Sequence, residues 1–406
     1  MPLHHDRDRH MKRRLEGNIP GEGYAQVAIE GERIRSVQLM GPERPESAFI
    51  SPGFVDIQLN GFSGVDFSDP ALTPEDVIQV LPPLWKTGVT TFCPTLITNS
   101  REGLLRNIRV LERARQIDPL FAQAVPCYHL EGPYLSPLES RGAHDAKLMR
   151  PPDWDEFTEL QIAAGGRIGI ITLAPELPGT EEFIQKAKAS NVVVGISHTD
   201  ASPEQIHMAA DAGASLSTHW GNGCPEFIHR HSNPLWAQLA IKSLSVSLIC
   251  DGFHLPADVV KVVAQIKGPG KCILVTDATH VANLSPGRYS LVGTEIELLP
   301  SGQVVTVDGR CMAGSSVTMN RAVAVFQQFA EVSLRDAIAA ATKSPAHLIP
   351  QGEICSRVAE GAPANLVLFG VKKDALQIKT VCFRGRTVYG SEGASTGAEL
   401  TARDQD

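Results

Sequence analysis

The sequence predicts an α/β fold: a TIM-type (β/α)8 barrel carrying a small β-sandwich domain built from both ends of the chain. Three observations point there. About eight short apolar runs recur over some 300 residues, with helical patterns between most of them. Several runs stop on a histidine or a carboxylate, as strands do at the carboxyl end of a barrel, where active sites are built. Period-two alternation appears near both chain ends, outside the repeating part.

Residues 1–52 are assigned to the amino-terminal strands of the small β domain. Val27, Ile29, Ile34 and Val37 alternate around Gly31, as in a short meander. The basic cluster Arg7, Arg9, Lys12, Arg13 and Arg14 lacks an apolar segment behind it, so it is no signal peptide, and a loose solvated end is expected. Residues 53–350 form the barrel. Its runs lie at Phe54 to Ile57, Thr91 to Cys93, Ala124 to Leu130, Ile168 to Leu173, Val192 to Ile196, Ser215 to Thr218, Val246 to Cys250 and Cys272 to Val275. Helical patterns include Gly103 to Gln116 and Glu181 to Ala189. No Gly-x-Gly-x-x-Gly loop follows an early strand, which disfavours a doubly wound open sheet. Asn283 to Cys311, rich in turn signals, is a hairpin insert. Residues 351–390 return to the β domain, and 391–406 form a polar tail expected to be disordered.

Among 406 residues, 43% are hydrophobic and 20% charged, which excludes a disordered or fibrous chain. A net charge of -8 gives no footprint for nucleic acid. No apolar run is long enough for a membrane helix. The eight cysteines are scattered without a Cys-x-x-Cys pair, so buried thiols in a reducing cytoplasm are expected.

His198 and His219 close two successive runs, and Glu131 closes another. Two imidazoles and a carboxylate at one barrel mouth can hold a divalent metal and leave a position open for chemistry. A lone histidine in an apolar setting is more often a satisfied core residue; the recurrence at strand ends is what favours metal. Asp277 closes the eighth run and either caps the following helix or handles protons beside the metal. At the end of the first run stand Gln58 and Asn60, and amides are poor zinc ligands, so one metal is expected. His254 either binds substrate or packs. His229, Arg230 and His231 form either a solvated loop or an anion site.

These segments resemble the N-acetylglucosamine-6-phosphate deacetylases of the amidohydrolase superfamily. Matching stretches include Pro52-Gly53-Phe54-Val55-Asp56, His129-Leu130-Glu131-Gly132-Pro133, Ser197-His198-Thr199-Asp200-Ala201, Thr218-His219, Val275-Thr276-Asp277-Ala278 and Ala313-Gly314-Ser315-Ser316. The resemblance implies that Glu131, His198 and His219 ligate one divalent metal per subunit, zinc before iron or manganese, and that Asp277 is the general base. It implies that His144 lies beside the scissile carbonyl. Asn222, the Gly223 backbone, His254, and Arg230 from a neighbouring subunit would hold an amino-sugar phosphate, in a cytoplasmic homodimer. The family usually shows Asn-Ala-Met-Pro after the second histidine ligand, whereas this chain has Asn222-Gly223-Cys224-Pro225. Alternatives are another N-acyl substrate, such as N-acetylgalactosamine 6-phosphate or an unphosphorylated compound, and a scaffold without catalysis.

Overall fold

The computed structural model describes residues 12–350 and 356–390. Eight parallel strands form one sheet in chain order: Phe54–Leu59, Val89–Ile97, Tyr128–Glu131, Ile168–Leu173, Val193–Ile196, Leu216–Ser217, Ser245–Ile249 and Cys272–Val275. Their residues are buried almost without interruption, because helices cover the outside and side chains fill the inside. The first and eighth strands meet beyond their ends, where Asp277 N–H donates to Gln58 O (2.9 Å) and Asn60 N–H to Ala278 O (2.8 Å). That seam closes the barrel.

Local chemistry sets the helix boundaries. Ser100 caps Arg101–Ile117 by accepting from Gly103 N–H, and Leu104, Ile108 and Leu111 bury its inner face. Ser202 and Gln205 form a capping box ahead of Pro203–Ala212, with Pro203 at the first helical position, where its missing N–H costs nothing. The third strand starts later than the apolar run suggests. Ala124 ends the short helix Pro119–Ala124, whose apolar residues pack like those of a strand, and the strand begins at Tyr128.

The two chain ends build one seven-stranded sheet, in the order Arg386–Tyr389, Leu376–Phe383, Leu366–Val371, Phe49–Pro52, Lys12–Ile19, Gly23–Glu30, Arg33–Gly41. Cys382, Leu366, Ile50, Leu15, Val27 and Ile34, from six of these strands, share one small core, so the sheet curls over itself. The basic stretch from Lys12 is therefore not a loose end. Lys12–Ile19 pairs residue for residue with Gly23–Glu30, and the Arg13 guanidinium donates to Thr387 Oγ1 (2.9 Å). Arg7, Arg9 and the polar tail lie outside the described residues. The insert holds three strands rather than a simple hairpin: Gly287–Leu291, Thr294–Leu298 and Val304–Thr306. Among the described residues seven cysteines are free thiols, and no helix is long and apolar enough to cross a membrane.

Asp56 reinforces the closing seam from inside. It is fully buried; one oxygen accepts from Thr276 Oγ1 (2.5 Å), the other from the backbone N–H of Gln58 (3.2 Å) and Thr276 (3.3 Å). Burial pushes its pKa from 3.8 up to about 7. The folded protein thus holds this proton more tightly than the unfolded chain does. Its stabilising share is complete below about pH 4 and is lost as pH rises through about 7. Asp56→Asn should therefore gain stability relative to the wild type between pH 5 and pH 8; urea midpoints at the two pH values check this.

Candidate active site

Four side chains converge at the carboxyl end of the barrel. Glu131 ends the third strand, and His198, His219 and Asp277 lie just past the fifth, sixth and eighth. His198 (φ 49°), His219 (φ 30°) and Asp277 (φ 49°) all adopt left-handed backbone conformations. Non-glycine residues pay for such angles, and they persist where surrounding structure enforces them. The sharp turn at each strand end serves to keep these side chains over the mouth.

His219 Nε2 lies 2.7 Å and His198 Nε2 3.3 Å from the same Glu131 oxygen. All three side chains are buried, and their ligand atoms lie within 4.8 Å of one another. Each imidazole has its other nitrogen occupied. His198 Nδ1–H donates to Ser140 O (2.9 Å), and His219 Nδ1 pairs with Ser197 Oγ (3.2 Å). Both Nε2 atoms are thereby turned towards the carboxylate, the arrangement that metal-binding histidines use. Burial alone would raise the Glu131 pKa, but hydrogen bonds from His198 and His219 outweigh it and hold the carboxyl well below its ordinary range. The donor set fits a single divalent cation. At the end of the first strand the Gln58 carboxamide is buried without a protein partner, and it offers a second ion only weak ligation.

Asp277 caps no helix. Its carboxylate accepts from Asn60 Nδ2 (2.7 Å), and its pKa is pushed up to about 6, first by burial and then by the charge of Glu131. His144 packs edge-on against His198, with ring centroids 4.5 Å apart, and its Nδ1 pairs with Thr98 Oγ1 (3.0 Å). Desolvation, then His198, pull the His144 pKa down to about 3, so its ring is neutral. Below the centre, buried His129 donates from Nδ1 to Ile57 O (3.0 Å) and pairs through Nε2 with Thr172 (2.8 Å), which meets Thr218 (2.8 Å). That chain links the first, third and fourth strands to the segment just past the sixth.

One pocket gathers Glu131, His144, His198, His219, Asn222, His254 and Asp277. His254 is oriented by Asp251, whose Oδ2 accepts from its Nδ1 at 2.6 Å. Gly223 lies behind the pocket, pressed so closely on Ser197 and His198 that a Cβ would stand 2.0 Å from Ser197 Oγ, and its carbonyl accepts from Thr199 N–H (3.1 Å). Arg230 does not reach the pocket. Its loop is fixed by Asn233, which caps Pro234–Ala240, and by Trp236 Nε1 donating to Arg230 O (3.1 Å), while the Arg230 side chain is exposed.

The family model for the amidohydrolase family matches residues 49–388. The chain belongs to the amidohydrolase family. It is a hydrolase of amide carbon–nitrogen bonds. It is 30% identical to the N-acetylglucosamine-6-phosphate deacetylase of Bacillus subtilis over 93% of this chain and 96% of that one. It is 29% identical to the N-acetylgalactosamine-6-phosphate deacetylase of Escherichia coli O157:H7, over 79% and 84% of the two chains. Among solved structures it superposes with a TM-score of 0.84 on the Mycobacterium smegmatis N-acetyl-D-glucosamine-6-phosphate deacetylase in complex with N-acetyl-D-glucosamine-6-phosphate. The two are 28% identical, and the match covers 93% of this chain and 99% of that one.

Sequence reasoning singled out Asn60 only as a missing metal ligand and passed over Thr98 and Ser140, the partners of His144 and His198. Nothing in the local sequence marks these roles, since each partner comes from a different loop. Gly314 has a sharper signature. At φ 60° it lets the chain pass so near the site that a Cβ would stand 2.8 Å from Asp277 O. Gly314→Ala should therefore destabilise the protein by more than about 1 kcal/mol and lower turnover with it; thermal unfolding and a kcat measurement check both.

Proposed function

We propose that this amidohydrolase removes the acetyl group from N-acetylglucosamine 6-phosphate, giving acetate and glucosamine 6-phosphate. The observation that carries this is the convergence of Glu131, His198, His219 and Asp277 on one pocket mouth, with His144 beside them. Relatives named for that reaction, alike over nearly their whole length, support it.

Glu131, His198 and His219 would hold one divalent ion, zinc first and iron or manganese as alternatives. That ion supplies Lewis acidity towards the amide carbonyl and the attacking water. Asp277, with its pKa lifted to about 6 and its carboxylate steadied by Asn60, takes the proton from the water. It then delivers the proton to the amide nitrogen, which leaves as an amine because an amide anion is too poor a leaving group. Neutral His144, paired through Nδ1 with Thr98, would present Nε2–H to the developing oxyanion in the tautomer in which Thr98 donates. Asn222, the Gly223 backbone and His254 would bind the sugar phosphate, and Arg230 of a second copy would complete the phosphate site in a homodimer. The exposed Arg230 guanidinium, with no side-chain partner among the described residues, supports that reading. We place the enzyme in the cytoplasm, in keeping with its free thiols.

The loop from Gly221 to Trp236 favours one second reading. It departs from the family pattern beside the sugar site, so the galacto epimer is the competing substrate, as the name of the Escherichia coli relative suggests. Acetate release from N-acetylglucosamine 6-phosphate, its galacto epimer and the unphosphorylated sugar, with zinc-, iron- or manganese-loaded enzyme, separates the readings. Preference for the first substrate is expected, and rejection of all three would sink the proposal. Asp277→Asn should keep its metal by elemental analysis yet lose on the order of 10²–10⁴ in kcat. Arg230→Ala should raise KM for the phosphorylated sugar while leaving activity on the unphosphorylated one unchanged.

A further inference from the structure

The insert after Asp277 turns its first hairpin in two residues. Leu291 pairs with Thr294, so Val292 and Gly293 form the turn, with φ 46° and 80°. Two-residue hairpin turns of this kind call for positive φ at both positions, which Asn-Gly or Gly-Gly supplies comfortably. A β-branched residue is a costly choice there. Hairpin geometry offers no reason for Val292. Its surroundings do.

Val292 is half-buried and lines the active-site pocket together with Leu291, Met312 and Ala313. Its side chain packs against the same small apolar cluster as Ile97, which ends the second barrel strand, and Ala143, from a barrel loop, both outside the insert. Those two residues directly precede Thr98 and His144, the hydrogen-bonded pair beside His198. The apolar wall thus continues the side of the pocket on which His144 stands. Asn222 and His254 supply polar groups to the same pocket. An amide held between Asp277 and His144 presents its acyl carbon chain on one side of the carbonyl and its amino sugar on the other. A sugar phosphate needs the polar groups, which leaves the apolar wall to the acyl group.

We propose that Val292, held in a strained backbone conformation at the hairpin tip, seats the substrate's N-acyl group against Ile97 and Ala143 and thereby limits that group to acetyl. The proposal rests on the deacetylase reading and deepens it. Its backbone cost is tolerated because the methyl groups of Val292 are needed in the pocket.

The test compares kcat/KM for the N-acetyl, N-propionyl and N-butyryl forms of glucosamine 6-phosphate, using metal-loaded wild type, Val292→Gly and Val292→Asn, together with the thermal midpoint of each. One methylene in an apolar pocket is discriminated roughly 10- to 200-fold. Val292→Gly should raise the propionyl-to-acetyl ratio by about tenfold or more on the same basis. Val292→Asn is nearly the same size and is at ease in the left-handed region. It should keep the thermal midpoint but lower kcat/KM for the acetyl substrate, because it sets an amide against the methyl group. An unchanged ratio in Val292→Gly, with wild type active on the acetyl substrate, overturns the proposal alone. Wild type inactive on all three forms overturns the deacetylase reading and this proposal together.

Discussion

A buried carboxylate shared by two imidazoles is the constraint around which this barrel is arranged. Glu131 has almost no solvent, and an ionised carboxyl in that position would be expelled or protonated without close partners. His198 and His219 supply them through one Glu131 oxygen. Such an arrangement tolerates little displacement, because the three side chains come from different strands and a small shift in any strand end opens the set. The polar chain through His129, Thr172 and Thr218 ties the third and fourth strands to the end of the sixth inside the barrel.

The same constraint explains the unusual backbone at the mouth. His198, His219 and Asp277 each leave a strand through the left-handed region, where only outside contacts can hold them. For His198 those contacts come from the loop at Ser136 to His144. Ser140 O accepts from His198 Nδ1, Ser136 N–H donates to His198 O, and the hydroxyls of Ser136 and Ser140 donate to Asp200. Asp200 in turn is fixed by Glu176, which accepts from its backbone N–H (2.7 Å). One carboxylate, two residues beyond His198, therefore anchors the loop that brings His144 to the site. Orientation of the His198 imidazole and placement of His144 are a single structural event.

Much of this was legible in the chain itself. The repeating apolar runs specify the barrel because a strand buried on both faces has few alternatives to covering helices. His198, His219 and Glu131 stood out because strand ends are where a barrel exposes chemistry. What the pattern could not carry were pairings between distant loops. Thr98 with His144, Asn60 with Asp277 and Ser140 with His198 are set by three-dimensional closure, and each residue alone reads as an ordinary polar loop position. The strand at Lys12–Ile19 was hidden for another reason. Arg14 and Glu16 are exposed, Arg13 is half-buried, and only Leu15 contributes to the small core, so neither alternation nor hydrophobicity marked it.

Asp277 shows how a residue's meaning depends on the seam it occupies. An aspartate after a strand is a favoured helix cap, and on sequence alone that reading competes on equal terms. Here the first and eighth strands join through its own N–H and the carbonyl of Gln58, and Ser315 N–H donates to its carbonyl. With the backbone held on both sides, the side chain has no helix to cap and is directed to Asn60 and the mouth. Closure of the barrel and placement of the Asp277 carboxylate thus depend on the same hydrogen bonds. Gly314 follows from this, since the chain that supplies Ser315 must pass where a Cβ would strike the Asp277 carbonyl.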